Sequence, residues 1–348
     1  MTKPIQIKSN KDSSILEIGW NPTNVCNFKC RYCFPENNTG THRTPSNLNL
    51  IVDNFRHTLD YYKENLGKTK FQFFVAGGEP TLWKELGSFI SKIKEKHNVY
   101  FTLISNVSRT LRWWKEHAHE IDNAHLTHHL AEGDIEHITK VADILFESGA
   151  KTTVKVLMDP LHWDKGIEAV NYMKKNSQYS WFILTEKVIE PDAITNSINS
   201  KTLQYTPAQL KYLKRDLKRM PGILWFWKNR QLLKQEIRLH ESRALLDNGK
   251  KINARPGTYL KDGWNNFKDW KCTIGINRLY IDWTGRVSGA CTSKLFELDY
   301  YYNILDNDFK EKFAPSLVPT ICKYTSCWCS PETHLTKHKI IPITEIKS

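Results

Sequence analysis

Short apolar strands alternate with amphipathic helical patterns through the first half of the chain, and this alternation constrains the fold more than any other feature. Strand patterns occupy 15–21, 70–76, 99–104, 125–130, 152–158 and 180–186. Helical patterns separate them, the first capped at Ser46 and the others covering about 81–97, 110–121, 134–148 and 163–175. Strands that alternate with helices in this way form a parallel sheet with right-handed crossovers. We therefore expect a partial or full βα barrel, with its chemistry gathered where the strands end.

The pattern changes after about residue 190 of the 348 residues. We predict an α/β fold in three regions: a partial (β/α)6 TIM-like barrel at 1–190, a basic helical connecting segment at 191–267, and a small cysteine-rich α+β domain at 268–348. In the connecting segment one helix begins at Thr206-Pro207, a cap followed by a first-turn proline, and a second covers about 226–246. The last region contains a hairpin signal that turns at Thr284-Gly285.

Composition indicates a globular chain, with 40% apolar and 25% charged residues. No apolar run approaches the roughly 18–20 residues of a membrane helix, and the first residues lack a secretory pattern. We therefore expect a cytoplasmic protein without a membrane partner, in which thiols stay reduced. The net charge is +13, and 211–255 holds thirteen Lys and Arg against four Asp and Glu. That segment is either a solvated helical face or a surface for a phosphorylated substrate, a nucleotide or a nucleic acid.

The eight cysteines fall into two groups, three at 26–33 and five at 272–329, which indicates two metal centres rather than scattered core thiols. Cys26, Cys30 and Cys33 follow the first strand. Three thiolates fall one ligand short of a closed structural zinc site. An iron–sulfur cluster is the other soft-ligand choice, and a cubane with three cysteines leaves one iron open. A three-cysteine zinc site remains the alternative.

The arrangement C-x3-C-x2-C, with Tyr32 just before the third cysteine, resembles the radical S-adenosylmethionine (SAM) enzymes. The resemblance covers about 15–190, and G-G-E-P after the second strand fits the second motif of that family. It implies that the three cysteines ligate a [4Fe–4S] cluster and that the amine and carboxylate of SAM chelate the fourth iron. It also implies that Tyr32 lies against the adenine. The second motif would run along the methionine moiety, with Glu79 accepting from its amine: its residues are Gly77, Gly78, Glu79 and Pro80.

Three further positions follow the later strands. Ser105-Asn106 resembles the Ser/Thr-Asn pair of the family, although an ordinary turn is the alternative. The family often has a SAM contact after strand four, where this chain offers Thr127, His128 and His129. Adjacent histidines point to opposite faces of a strand, so at most one faces the lumen. On strand five, Lys155 either meets the SAM carboxylate or an anionic substrate, or lies at the surface.

The later cysteines resemble the auxiliary-cluster extension of many radical SAM enzymes, known as twitch or SPASM domains. They are Cys272, Cys291, Cys322, Cys327 and Cys329. Two SPASM clusters need about seven or more cysteines, so the resemblance implies one auxiliary [4Fe–4S] cluster here. The C-x4-C-x-C ending departs from the usual C-x2-C, which leaves open which four cysteines ligate. The fifth is either structural or a thiol that returns a hydrogen atom to a substrate radical. A zinc site is the alternative for the whole set.

The resemblance implies that the reduced cluster cleaves SAM to a 5′-deoxyadenosyl radical, which abstracts a substrate hydrogen. It also implies an electron donor such as flavodoxin or ferredoxin. We expect oxidation or epimerisation of a small polar metabolite, sugar-like or aminocyclitol-like, and hence an oxidoreductase or epimerase. Modification of a nucleotide or nucleic acid is the first alternative, suggested by the basic segment with Trp225, Phe226 and Trp227. Peptide or protein modification is less favoured, because only about 14 residues precede the first strand. A cluster protein without catalysis is the remaining alternative.

Overall fold

The fold is that of a computed structural model, which describes residues 2–33, 38, 40–42, 44–179, 181–188, 205–216, 242–254, 258–259, 262–289, 302–327 and 329–340. Within these residues the strands form two sheets, one of nine strands and one of six. Four features predicted from sequence lie wholly or largely outside the described residues: Cys291, the aromatic run 225–227, the centre of the basic segment and the helix at about 226–246.

The larger sheet contains the predicted barrel strands, whereas the first strand of the chain, β1 (Pro4–Ser9), joins the smaller sheet. The barrel strands are β2 (Ile15–Trp20), β3 (Lys70–Val75), β4 (Val99–Ser105), β5 (Asn123–His128), β6 (Lys151–Met158) and β7 (Phe182–Lys187). Each pairs in parallel with the next in chain order. All six predicted strands are therefore confirmed in type and order.

Helices follow these strands in turn, as the βα pattern requires. They are α1 (Leu48–Leu66), α2 (Leu86–Lys94), α3 (Leu111–His117), α4 (Ile135–Glu147) and α5 (Trp163–Asn176). Their apolar faces and the strands share one large buried core. All six residues of β2 are buried, as expected for a parallel strand covered on both faces. The architecture agrees with the predicted partial TIM-like barrel.

Three helix predictions need correction. The side chain of Asn47, and not that of Ser46, caps α1 by accepting a hydrogen bond from the Leu50 N–H at 3.1 Å. The predicted helices at 81–97 and 110–121 are each divided, because a 3-10 turn (Pro80–Leu82) precedes α2 and another (Ala118–Glu120) follows α3. These turns sit where the chain passes between sheet and helix, and apolar spacing alone does not distinguish them from α-helix.

The smaller sheet draws its strands from both ends of the chain. Its members after β1 are β8 (Ser242–Leu246), β9 (Lys251–Ala254), β10 (Trp270–Cys272), β14 (Thr320–Ile321) and β15 (Lys337–Lys339), in the order β14-β10-β15-β1-β8-β9. The predicted helix at 226–246 is wrong over its last five residues, which form β8. A small second core lies against this sheet and includes Ile7, Phe267, Trp270 and Cys327.

The larger sheet in turn receives strands from the C-terminal third. β11 (Arg278–Ile281) pairs in parallel with β2, and β12 (Arg286–Ser288) and β13 (Tyr302–Asn303) continue the sheet beyond it. β11 and β12 form the predicted hairpin, and Gly285 at its turn has a φ of 84° that favours glycine. The pairing of strands therefore crosses both predicted region boundaries, near 190 and 267.

Three further α-helices lie among the described residues: α6 (Pro207–Asp216), α7 (Phe309–Lys312) and α8 (Ser330–Thr333). The first begins where Thr206-Pro207 predicts, and the Gln209 N–H donates to Thr206 Oγ1 at 3.3 Å. In the part of the chain that the structure describes, no helix is long and apolar enough to cross a membrane.

Candidate active site

A cavity of about 200 Å³ lies at the carboxyl ends of the barrel strands. It brings together most of the residues predicted from sequence: Cys26, Cys30, Tyr32, Cys33, Gly77, Gly78, Glu79, Ser105 and Asn106. Phe28, Thr127, His129 and Leu157 complete much of its wall. Pro80 does not line the cavity and is the buried first residue of the 3-10 turn that follows Glu79. The loops after β2, β3 and β4 therefore meet at one rim, as expected for a parallel sheet.

Gly77 and Gly78 let the second motif pack against the loop that carries the cysteines. The Gly78 N–H donates to Thr23 O at 2.9 Å. A Cβ on Gly77 would lie 2.5 Å from Thr23 O, and one on Gly78 would lie 2.1 Å from Val25 O. Sequence reasoning explained these glycines by the approach of a ligand. The structure adds a second cause, the close approach of backbone to backbone.

The Glu79 carboxylate links the ends of two strands through hydrogen bonds. Its Oε1 accepts from the Thr81 N–H at 3.0 Å and from the Ser105 hydroxyl at 2.8 Å. Its Oε2 accepts from the Asn106 N–H at 2.7 Å. Burial raises the pKa of Glu79, while these hydrogen-bond donors act in the opposite direction. The side chain thus joins the loop after β3 to the loop after β4.

Ser105 and Asn106 lie on the rim, as the resemblance implies. Asn106 Nδ2 is 3.6 Å from Cys26 Sγ and donates to Asn27 Oδ1 at 3.1 Å. The next residue, Val107, has a φ of 67° and is buried. A β-branched residue rarely adopts this conformation, so the backbone is strained where it turns away from the rim.

His129 is the wall residue that sequence reasoning noted but did not assign. Its Nδ1 lies 3.1 Å from Cys30 Sγ and 2.9 Å from the Tyr32 hydroxyl, and its ring stacks on Tyr32 at 9° between planes. His128 is buried outside the cavity wall, so one histidine of the pair faces the lumen. The predicted strand ran to residue 130, whereas β5 ends at His128, and this two-residue shift puts His129 on the rim.

The first-group thiols have the chemistry that an iron–sulfur cluster requires. Burial raises the pKa of Cys26, Cys30 and Cys33, to about 12 for Cys30. Ligation must therefore displace protons from these thiols. Among the described residues, no three Cys, His, Asp or Glu side chains converge at single-ion spacing. The fit to a cluster rests on soft donors on one short loop that share one cavity.

Lys155 lies away from the cavity wall. Its Nζ is 3.2 Å from Glu186 Oε1, and both side chains are partly exposed. This ion pair on neighbouring strands supplies a partner that sequence reasoning did not foresee. A contact between Lys155 and SAM remains a prediction.

Arg31 anchors the cysteine loop to the end of β6, which sequence reasoning missed. Its Nη2 donates to both carboxylate oxygens of Asp159 at 2.9 Å. The carboxylate also accepts from the Leu161 N–H at 3.0 Å. A lone arginine between two cysteines and a distant Asp-Pro pair give no signal of contact in the sequence.

The later cysteines gather around the smaller sheet. Cys272 ends β10, Cys322 follows β14, and Cys327 belongs to the second core. Cys329 immediately precedes α8. Burial raises the pKa of Cys272, Cys322 and Cys327. This cysteine-rich region fits an auxiliary cluster domain.

Comparison with known proteins decides the family of the barrel. Residues 20–185 match the radical SAM superfamily. The chain carries a radical SAM domain. The three cysteines of the first motif and Gly77, Gly78 and Glu79 of the second line the cavity. Members of this family use a [4Fe–4S] cluster and SAM. The resemblance stated from sequence is thereby confirmed.

Curated relatives match part of this chain. The GTP 3′,8-cyclase of Pasteurella multocida (strain Pm70) is 30% identical over 103 residues, 27% of this chain and 28% of the relative. The GTP 3′,8-cyclase of Haemophilus ducreyi (strain 35000HP / ATCC 700724) is 28% identical over 146 residues, 37% of this chain and 40% of the relative. The matches thus span less than half of either relative's length.

Solved structures share the fold over most of the chain. SuiB of Streptococcus suis, bound to precursor peptide SuiA, has a TM-score of 0.50 at 14% identity, covering 87% of this chain and 65% of SuiB. Native anSMEcpe with bound AdoMet has a TM-score of 0.50 at 16% identity, covering 87% of this chain and 81% of that protein. At this identity the likeness concerns the fold.

Proposed function

We propose that this protein is an enzyme that cleaves SAM at a cluster held by Cys26, Cys30 and Cys33 and removes a hydrogen atom from a small polar substrate. The observation that carries the proposal is the single cavity shared by the three thiols, Gly77-Gly78 and Asn106. When bound, the cluster supplies one electron to SAM, which yields methionine and the 5′-deoxyadenosyl radical. The electron would come from a donor of the flavodoxin or ferredoxin type.

The chain's own residues position these groups. Asn106 Nδ2 and His129 Nδ1 each lie beside a cysteine sulfur, where a hydrogen bond to a ligating thiolate stabilises its charge. Glu79 keeps the loops of the rim at fixed spacing through its hydrogen bonds. Tyr32 and His129 present stacked rings, which suit a planar base. The reduced thiols that this arrangement needs accord with a cytoplasmic location.

Polar side chains below the cavity support a polar substrate. Thr127 and Leu157 line the cavity on β5 and β6. Because side chains alternate along a strand, His125, Thr153 and Lys155 point to the same side, further into the barrel. A substrate that extends below the cavity would meet these polar side chains, which favour hydroxyl, amine or acidic groups over apolar ones. Oxidation or epimerisation of a small polar metabolite is the reaction we propose first.

A nucleotide substrate is the second candidate. It is favoured by the curated relatives named GTP 3′,8-cyclase and by the excess of Lys and Arg in 211–255. A cyclase-type reaction would begin with the same hydrogen abstraction and end in ring closure instead of oxidation or epimerisation. Peptide modification, suggested by the SuiA complex of SuiB, rests on likeness of fold alone.

The test is formation of 5′-deoxyadenosine by the anaerobically reconstituted protein with dithionite and SAM. Cys30→Ala should lose the first cluster and reduce the product to background, whereas Lys84→Ala, an exposed residue outside the cavity, should leave both unchanged. Deuterated sugars and aminocyclitols, deuterated GTP and deuterated peptides then compete as hydrogen donors. Deuterium reaching 5′-deoxyadenosine from GTP would select the second candidate. Iron-loaded protein that never cleaves SAM under any of these conditions would contradict the proposal.

A further inference from the structure

Lys337 places an ammonium group inside the second core. The residue is 2% exposed. Its Nζ donates to the backbone carbonyl of Glu332 at 2.7 Å and lies 4.0 Å from the centroid of the Phe267 ring. Both contacts stabilise the charge, yet neither neutralises it. A buried ammonium is costly unless a negative charge lies nearby.

The acid closest in sequence does not fully account for this charge. The Glu332 carboxylate is buried and faces Arg278, with Oε1 at 3.9 Å from Nε. Lys337 reaches the backbone carbonyl of Glu332, whereas the carboxylate of that residue lies beside the Arg278 guanidinium. Negative charge close to the Lys337 ammonium would stabilise it.

Two thiols lie on the sheet face that carries Lys337, and a third packs into the second core beside it. Cys272 stands directly opposite Lys337 in the antiparallel pairing of β10 with β15, and such cross-strand pairs have Cβ atoms about 4.5–5.5 Å apart. The Cys322 N–H donates to Trp270 O at 2.8 Å, which makes Cys322 a diagonal neighbour of Cys272. Cys327 packs into the same core. Lys337 lowers the pKa of each thiol, against the larger effect of burial.

We propose that Lys337 is a positioning residue that stabilises the reduced state of an auxiliary [4Fe–4S] cluster bound by Cys272, Cys322, Cys327 and one further cysteine. This inference rests on the auxiliary cluster of the proposed enzyme. Each ligating thiolate brings a negative charge, and one added electron increases that charge. In a site shielded from water, a fixed cation therefore stabilises the reduced state more than the oxidised state. Lys337 raises the midpoint potential of this cluster.

The test compares midpoint potentials in full-length protein whose first-group cysteines are all changed to alanine, so that only the auxiliary cluster remains. The protein is reconstituted anaerobically with iron and sulfide, its iron content is measured, and it is titrated with dithionite under EPR detection. Lys337→Met should lower the equilibrium constant for one-electron reduction at least tenfold, which is about 59 mV. Lys337→Gln, which also lacks the charge, should lower this equilibrium constant to a similar extent.

Two controls separate charge from packing. Lys339→Met removes an exposed ammonium from the same strand and should leave the potential unchanged. Lys337→Arg retains the charge and should keep the potential near that of the parent. Equal potentials in the Met, Gln and parent proteins would overturn the proposal. Loss of iron from all three Lys337 variants, including Arg, would also overturn it, because the residue would then act through packing.

Failure of the proposal for Lys337 can be distinguished from failure of the proposed function. If the parent with alanine in place of the first three cysteines binds zinc or no metal, the auxiliary cluster and the role of Lys337 both fall. Cleavage of SAM by the protein with all its cysteines is measured separately and depends on the first cluster.

Discussion

Glu79 shows how much of the rim depends on one side chain. Two backbone N–H groups, those of Thr81 and Asn106, point at different oxygens of its carboxylate. A hydroxyl can rotate to become an acceptor, but a backbone N–H cannot. The two oxygens must therefore both be acceptors, which a carboxylate satisfies and an amide does not.

We predict that Glu79→Gln lowers the free energy of unfolding by about 1–3 kcal/mol, because whichever oxygen becomes the amide nitrogen leaves one buried N–H without an acceptor. Urea unfolding of the metal-free full chain measures this. Glu64→Gln, an exposed residue of α1, makes the same chemical change as a control. Equal unfolding free energies for the two variants would contradict the role assigned to Glu79.

At the residue scale, much of the site could be predicted because its ligands cluster in sequence. Three cysteines within eight positions and G-G-E-P carry the signal without knowledge of the fold. The contacts of His129 and Arg31 could not be predicted, since their partners come from distant strands whose ends must be known to within a residue. The ion pair of Lys155 with Glu186 could not be predicted for the same reason, since it depends on the pairing of β6 with β7.

At the scale of elements, the contact between the cysteine loop and the second motif depends on an absent side chain. Gly78 has no positive φ, so a side chain there is excluded by space alone, with Val25 O at 2.1 Å from the position of a Cβ. We predict that Gly78→Ala displaces the cysteine loop and lowers both the iron content of the first cluster and the unfolding free energy, the latter by about 1–3 kcal/mol. Iron analysis and urea unfolding measure the two effects.

Gly249→Ala is the control for Gly78→Ala, because it introduces backbone strain without a steric overlap. Gly249 has a φ of 79°, but nothing lies within 4 Å of its Cβ position. This variant should cost stability through strain alone and leave the first cluster's iron content unchanged. If it lost iron as Gly78→Ala does, or if Gly78→Ala kept its full iron content, the close contact between the loops would not be what holds the cysteines.

Elements were predictable where they are long and apolar. The barrel strands and α4 and α5 have enough residues for periodicity to appear, and their ends differ from prediction by about two residues at most. The strands of the smaller sheet have two to six residues, which is too few for alternation to be distinctive. The sequence S-R-A-L-L of β8 contains good helix formers, which are compatible with the helix predicted there. Its strand partner β1 lies far away in the sequence, so local periodicity does not reveal the pairing.

At the scale of the whole molecule, the two sheets exchange strands between distant parts of the chain. β1 completes the smaller sheet, while β11 extends the larger one beside β2. Each core therefore contains residues from both sides of the predicted boundaries. We infer that the chain cannot be divided at residue 190 or 267 without opening a sheet.

We predict that Ile7→Ala loosens the smaller sheet selectively. Ile7 is fully buried in the second core, and its truncation should cost about 2–5 kcal/mol. Hydrogen exchange of backbone amides should lose protection in β8 and β15 and keep it in β3 to β6. Ile18→Ala, an equally buried change in the barrel core, should give the reverse pattern. Uniform loss of protection in both variants would mean that the two cores open as one unit.

The position of β1 has a consequence for synthesis on the ribosome. The Ser9 N–H donates to Thr336 Oγ1, a residue 327 positions later, and β15 pairs with β1 alongside it. At translation rates of about 5–20 residues per second, the first strand waits on the order of tens of seconds for this partner. The barrel strands between them are complete long before. The newly synthesised chain therefore carries an unpaired strand edge beside the barrel strands. The thiols of the later cysteines are the last to meet their neighbours.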